Sequence, residues 1–314
     1  MSSPLPELPL YIDSTMVVAF RQCPRKFYYE FILCRRPPGR QIDLVAGSAF
    51  AAALEAAYID YFIHSHSHLS ALRAAYLAFR RSWGDFDEQV EAPKSSKTFD
   101  RTFQAVIDYF DTYPFETDHV RPMLRHDGKP TFEFSFAVPL DLEGFPLHPS
   151  GHPFIYCGRF DAFGKHGDAF VIRDEKTTGK SPPYFWSDQW NLRNQFLGYK
   201  WAAERSGFQI DEVIVRGITI QKTQFHHVEA VKIYSDFLID RFLGQLARDL
   251  HRIVDCYNSH YFDYDLGDAC TAFGRPCAFM DPCSDPDENR WLTDFRHERW
   301  NPLDRTNVPV KEAA

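Results

Sequence analysis

Gly158-Arg159-Phe160-Asp161 and, further along, Val171-Ile172-Arg173-Asp174-Glu175-Lys176-Thr177-Thr178 decide how the rest of this chain is read. Phe154 to Phe163 and Ala169 to Asp174 are apolar strand patterns, and a turn at Gly164 to Gly167 joins them into a hairpin. Asp161 falls on the first strand and Asp174 at the end of the second. Two carboxylates on neighbouring strands can converge on a hard cation such as Mg2+, which takes oxygen ligands. Side chains alternate along a strand, so Asp174 and Lys176 share a side. Lys176 would then stand beside the metal, able to orient an attacking water or help deprotonate it, and the Glu175 carbonyl could add a further oxygen. Such a group suits phosphodiester hydrolysis, in which the metal polarises the phosphoryl oxygen and lowers the pKa of water. A lone Asp-x-Lys is more often a solvated strand end. Here it closes an apolar strand, has a second strand aspartate 13 residues before it, and precedes a helix bearing Gln195 and Tyr199. Those two lie four apart, on one helical face, and could position a nucleotide or phosphate.

Outward from the hairpin, Phe132, Phe134 and Phe136 alternate with Glu133, Ser135 and Ala137, which predicts a strand starting near residue 131. Asp13-Ser14 is a good helix start, and the helix it opens is expected to break or restart at Pro24. Helices are expected over roughly 48–62, 69–83 and 99–113, with a polar loop at 92–97. Ser187 to Arg205 returns to helical periodicity. Glu212 to Ile220 and His226 to Ile233 resemble a second hairpin, Phe237 to Tyr257 a long helix, and the tail from Phe262 a Pro-, Asp- and Cys-rich stretch with little regular pattern. The order predicts a mixed α/β core with a helical N-terminal portion.

The 314 residues carry 44% hydrophobic and 25% charged side chains, an ordinary globular balance with ample chain for a core. Acidic residues outnumber Lys and Arg by 43 to 35, which excludes a generally basic nucleic-acid binder but leaves room for a local basic groove. No continuous apolar run nears 18 residues, so no membrane segment is expected. Nor do the first 20 residues show a basic start followed by an apolar block. A cytoplasmic location follows, and the seven cysteines then read as metal ligands or buried thiols rather than as a disulfide framework.

With these residues in place the chain resembles the PD-(D/E)XK nuclease superfamily, in the RecB-like branch that includes CRISPR-adaptation exonucleases. The likeness rests on Gly158 to Asp161, Asp174 to Thr178 and the Gln195-Phe-Leu-Gly-Tyr199 helix. The opening Phe20-Arg-Gln-Cys23-Pro24-Arg-Lys26-Phe27 and the cysteine tail add to it, so that it spans about Ile12 to Leu303. It implies a restriction-endonuclease-like core, a mixed central sheet flanked by helices, within one nuclease-like domain over residues 1–314. That domain would comprise a mainly helical portion (12–130), a catalytic α/β core (131–257) and a Cys-rich tail (258–314). It further implies a Mg2+- or Mn2+-dependent deoxyribonuclease, an exonuclease acting on linear ends or single strands, in which Asp161 and Asp174 hold the metal. Partners of the class of a helicase, recombinase or integration complex would go with it, although the chain could equally act alone. The branch often carries Gly-x-x-x-His at the start of its second helix. Here Gly47-Ser48-Ala49-Phe50 leads to Ala51, so that imidazole is missing. Glu55, one turn on, could reach the metal instead, and the resemblance suggests a first-strand glutamate, here Glu133. Phe132 and Phe134 would face away from the site, so a site-facing Glu133 fits the alternation. The missing histidine keeps a second reading open, a catalytically impaired DNA-binding protein of the same fold.

Cys270, Cys277 and Cys283 are spaced Cys-x6-Cys-x5-Cys in an irregular tail, and Cys23 is the candidate fourth ligand. Tight zinc knuckles are absent, whereas an iron–sulfur cluster accepts wider spacings. The resemblance points to a [4Fe-4S] clasp, with unmodified thiols or a zinc-stapled adaptor as the other options. Cys34, Cys157 and Cys256 have apolar neighbours and read as core residues. Among weaker signals, His64, His66 and His68 could touch a metal. Arg21, Arg25, Lys26, Arg35, Arg36 and Arg40 could line a phosphate-following groove. Tyr184, Phe185, Trp186 and Trp190 could stack bases but suit core packing better.

Overall fold

The computed structural model describes residues 5–123, 131–180, 184–274 and 276–310. β1 (Tyr11–Ile12) leads into α1 (Ser14–Gln22), whose N-terminus is capped by Asp13 accepting from the Met16 amide at 2.8 Å. Pro24 starts α2 (Pro24–Phe27), which runs into a π-helical turn at Tyr28–Ile32, so the expected restart is found. β2 (Arg35–Arg36), α3 (Ile42–Tyr58), α4 (His68–Trp83), α5 (Glu88–Glu91) and α6 (Phe99–Thr112) complete the N-terminal portion. The sheet is then laid down by β3 (Val120–Pro122), β4 (Phe132–Pro139), β5 (Ile155–His166) and β6 (Ala169–Thr178). After α7 (Asn194–Arg205) come β7 (Glu212–Ile220), β8 (Phe225–Lys232) and α8 (Asp236–Asn258). The tail holds α9 (Met280–Ser284), α10 (Asn289–Leu292), β9 (Arg296–Asn301) and β10 (Thr306–Pro309).

β5 is the spine of a seven-stranded mixed sheet. β4 and β3 pair antiparallel with it along one edge, and β6 (antiparallel) and β1 (parallel) share the other. β7 runs parallel to β6, and β8 closes the order antiparallel to β7. The hairpin turn lies at Gly167, in the left-handed region at φ 59°, later than expected, because β5 continues to His166 and β6 resumes at Ala169. β6 also outruns the predicted end at Asp174, since its pairing with β7 continues to Thr178.

Each face of the sheet buries its own apolar layer. Phe20, Tyr156, Phe160, Ile172, Val215, Phe196 and Leu246 join the sheet to α1, α7 and α8. Phe50, Ala53, Tyr58, Phe79, Phe110, Phe132 and Ile218 join the opposite face to α3, α4 and α6. Ile42–Ile63, which includes α3, is by length and composition apolar enough to cross a membrane, a property that the absence of a continuous apolar run had concealed. Within it, α3 packs one face into the core, with Ala46, Ala49, Phe50, Ala53, Ala57 and Tyr58 buried, while Ile59–Ile63 has no buried residue. The tail is more regular than its composition suggested. β9 pairs with both β2 and β10, and Trp300 Nε1 donates to the Asp13 carboxylate at 2.9 Å. The tail's strands thus find partners near the other end of the chain.

Candidate active site

The candidate site lies where β6 leaves β5. Their ladder ends at the pair Ala162–Arg173, after which β6 follows β7 alone. Asp161 and Asp174 are the first residues beyond that last pair on their strands, so the fork faces them together. The Glu175 amide, released from the β5 ladder, donates to Asp161 Oδ2 at 3.1 Å. Alternation along β6 sends Ile172, Asp174 and Lys176 towards α7 and Arg173, Glu175 and Thr177 towards α3 and α6. The contacts agree with this. Ile172 packs in the first apolar layer, and Thr177 Oγ1 comes near Gly47 of α3. Asp174 is fully buried, with Lys176 Nζ 2.5 Å from its Oδ2 and Gln195 Nε2 donating to its Oδ1 at 3.1 Å. Gln195 also donates to the Tyr199 hydroxyl at 3.0 Å, and that hydroxyl donates to the Arg159 carbonyl at 2.6 Å. Asp161, Asp174, Lys176, Gln195 and Tyr199 therefore form one connected group. Tyr199 is buried, so its place is behind Asp174 rather than on an open substrate surface.

Glu133 stands across the ladder from Asp161, between the pairs Phe132–Ala162 and Phe134–Phe160. Its direction comes from a kink and not from the expected alternation. Glu133 has φ 49°, in the left-handed region, and Phe132 enters the α3/α6 layer while Phe134 packs against the other. An acidic residue held in that conformation costs backbone energy, which is commonly tolerated at functional sites. Glu133 forms an ion pair with Arg159. Burial pushes its carboxyl up to about 8, and repulsion from Asp161 and Glu55 adds to the rise while Arg159 opposes it. Burial, then Asp161, likewise raises Asp174 to about 7 against the pull of Lys176. Burial raises Glu55, with Arg159 acting the other way. Ala51, where the resemblance led to the expectation of a histidine, sits one turn before Glu55, a carboxyl in the same electrostatic group.

Glu175 contributes to this group by its backbone only. Its carboxylate turns to the opposite face, 2.6 Å from Arg173 Nε, and accepts from the Tyr109 hydroxyl at 2.9 Å. Arg216 donates to the Tyr109 hydroxyl at 3.0 Å and to both Asp118 oxygens at 2.8 and 2.6 Å, with Glu229 at 3.0 Å. Burial alone would raise Asp118, but Arg216 and Arg173 hold its carboxyl below the usual range. Sequence reading missed this buried network. Its members come from α6, β6, β7, β8 and the 118 loop, and only the strongly polar Arg173 and Arg216 inside apolar strands hinted at it.

Among the described residues, no three His, Cys, Asp or Glu side chains stand close enough to enclose a metal ion as placed. The donor set nevertheless fits a hard cation. Buried carboxyls that raise one another's pKa favour a shared positive charge, and Lys176 and Arg159 supply it in this arrangement. The four tail-and-opening cysteines are brought to one region. Burial raises Cys283 to about 11, with Cys23 and Cys277 contributing, and burial raises Cys270, again with Cys277 and Cys23 contributing. Cys277 N donates to the Cys270 carbonyl at 2.7 Å, while Cys277 and Cys283 pack beside Tyr29 and Phe279. Cys34, Cys157 and Cys256 are buried, as expected.

Of the six N-terminal basic residues that could line a groove, five are paired with carboxylates, Lys26 with Glu30 at 4.0 Å among them. Arg21 pairs with Asp249 at 2.6 Å, Arg25 with Glu288, Arg36 with Glu30 at 3.8 Å, and Arg40 with Asp85 and Glu91. His66 is exposed and bonded to Asp60 at 2.9 Å. Trp190 is buried and Trp186 packs over Gly217, while Tyr184 and Phe185 are exposed.

A sequence model of the PD-(D/E)XK nuclease superfamily matches residues 15–284. The chain belongs to this superfamily. Its mixed sheet flanked by helices is the restriction-endonuclease-like fold of that family. Among solved structures, a protein from Eubacterium rectale described as a candidate exonuclease is similar at 14% identity and TM-score 0.44, covering 86% of this chain and 92% of its own. A protein named SSO0001 is similar at 11% identity and TM-score 0.33, covering 89% and 88%. Likeness at that level adds nothing to the family assignment. No curated protein matches.

Proposed function

We propose that this chain is a Mg2+- or Mn2+-dependent deoxyribonuclease, an exonuclease working on linear ends or single strands of DNA. The observation that carries this reading is the convergence of Asp161, Asp174 and Lys176 at the fork between β5 and β6. Asp161, Asp174 and the Glu175 carbonyl would hold the cation, with Glu133 or Glu55 adding a carboxylate. The cation supplies a Lewis acid for the phosphoryl oxygen and a lowered water pKa. Lys176, held against Asp174 by charge, would orient the attacking water and stabilise the negative charge that develops on it. Gln195 fixes the Asp174 carboxylate by donating to Oδ1, and Tyr199 holds Gln195 in turn by anchoring on the Arg159 carbonyl. These two are positioning residues.

Cys23, Cys270, Cys277 and Cys283 are proposed to hold an iron–sulfur cluster with a structural task. The support is four thiols from opposite ends of the chain sharing one neighbourhood, a donor set suited to a [4Fe-4S] clasp. Closing so long a loop would restrict the unfolded chain.

The test is cleavage of labelled linear and single-stranded DNA with Mn2+, Mg2+ or chelator, for the wild type and Lys176→Ala. Metal-dependent cleavage that the substitution abolishes, with DNA binding retained, is the expected result. Ala51, in place of the family histidine, favours one other reading, a DNA-binding protein without chemistry. Wild-type binding with no cleavage under either metal would select it.

A further inference from the structure

The β9–β10 hairpin ends in a tight loop from Pro302 to Arg305, and this loop is docked beside the candidate active site. The Ser135 hydroxyl, two residues along β4 from Glu133, donates to the Leu303 carbonyl at 2.9 Å. Trp300 is fixed to Asp13 at 2.9 Å, and β9 is paired to β2. Within the loop, Asn301 donates to Asp304 at 2.8 Å and accepts from the Leu303 amide at 3.1 Å. The residue that completes the turn is Arg305, at φ 52°, a conformation that glycine adopts far more readily. A rigid loop therefore presents a long cationic side chain from a strained position.

That charge acts on the site. Tyr199, then Asp161 and Asp174, raise the Arg305 guanidinium above its ordinary value against the opposing effect of burial, and Arg305 in return opposes the rise at Glu133. Yet Arg305 remains solvent-exposed, and among the described residues no carboxylate lies in ion-pair contact with it. Arg159 and Lys176, the other cations of the site, are each paired with a carboxylate. An arginine at the surface beside acidic groups that would gather cations suits an anion brought there by the substrate, and its planar fork matches phosphate oxygens.

We propose that Arg305 is a substrate-binding residue that grips a backbone phosphate of DNA next to the carboxylate pair. The assignment rests on the nuclease reading above and extends the site to the tail hairpin, beyond residue 284 where the family match ends.

The test compares the wild type, Arg305→Ala and Arg305→Lys in the full-length protein, with Arg299→Ala on β9 as a charge control. Binding of a labelled single-stranded DNA is measured in chelator across a salt series, and cleavage kinetics are measured with Mn2+. Loss of one phosphate contact should reduce the slope of log K against log salt by about 0.7 for a single strand. Arg305→Ala should show that reduction together with a raised KM. Arg305→Lys should keep the slope and recover part of the affinity, and Arg299→Ala should match the wild type. If Arg305→Ala keeps the wild-type slope and KM while the wild type cuts DNA, the Arg305 assignment is overturned and the nuclease reading stands. If the wild type neither binds nor cuts DNA, both fail. A melting curve for each variant separates folding loss from contact loss, and the Arg305→Lys result decides the matter if the alanine variant does not fold.

Discussion

Replacing Gly198 with alanine tests how closely α7 must lie on the sheet for the site to form. A methyl at this position falls 2.1 Å from the Tyr156 hydroxyl and 2.7 and 2.8 Å from two of its ring carbons. Normal contact needs about 3.5 Å, so roughly 1.4 Å of separation must be found. Tyr156 is fully buried against Trp201 and Phe242 and cannot swing aside, so α7 has to retreat. Overpacking of this kind costs about 1–3 kcal/mol. Gln195 and Tyr199 ride on the same helix. The 3.1 Å bond from Gln195 to Asp174 has little slack and passes out of hydrogen-bonding range after such a shift. Urea unfolding should show a loss of that size with an unchanged slope, and DNA cleavage should fall by about 100-fold, the usual effect of a 1 Å misplacement. Tyr156→Phe supplies a cross-check. The Tyr156 hydroxyl is buried with no hydrogen-bond partner, so its removal alone should be nearly neutral. In the double variant the nearest approach becomes a ring carbon at 2.7 Å, which roughly halves the required retreat and should restore part of both stability and rate. Wild-type stability in Gly198→Ala, or no recovery in the double variant, would refute the claim that this contact seats the helix.

Three other outcomes are expected. Asp118→Ala removes both bonds to Arg216 from a fully buried guanidinium, and it should cost about 3 kcal/mol in denaturant unfolding, the low end for a broken buried pair because Glu229 remains bonded; a loss near zero would show the network to be dispensable. In metal-free protein, Glu133 at about 8 and Asp174 at about 7 lie above their ordinary values of 4.5 and 3.8, so the folded state binds their protons more tightly than the unfolded chain. Stability should then fall as pH rises between about 4 and 8, and Mn2+ should restore it at the upper end; melting temperatures that are flat with pH, or deaf to Mn2+ at pH 8, would count against a carboxylate cation site. Protein purified without oxygen should contain iron and sulfide and absorb in the visible, and Cys277→Ser should lose both and melt lower; a colourless, iron-free wild type would sink the cluster assignment.

How far the sequence carried can be followed through single residues. Asp161, Asp174 and Lys176 were legible because strand alternation and a short hairpin are local, and the ladder keeps what local pattern proposes. The strand ends were not, because β6 is prolonged to Thr178 by β7, which arrives only after α7. Glu133 was chosen by family likeness and by an alternation that the backbone does not follow, since no periodicity announces a residue at φ 49°. The basic opening read equally as a phosphate groove or a solvated face because its carboxylate partners are distant in sequence. The partner of Arg21, Asp249, lies 228 residues away, beyond the reach of any window. β9, reading Arg-His-Glu-Arg-Trp-Asn, has no apolar alternation, because it is held as a strand by pairing with β2 and β10 and by Trp300 on Asp13. Arg305 is brought beside the site by that route alone. Chemistry-bearing residues within one supersecondary unit thus show in the sequence, whereas those delivered from a distant segment show only once the sheet has chosen its partners. The charge balance of the site depends on both kinds: the hairpin concentrates the carboxylates, and a loop from the far end of the chain brings a cation whose charge they stabilise.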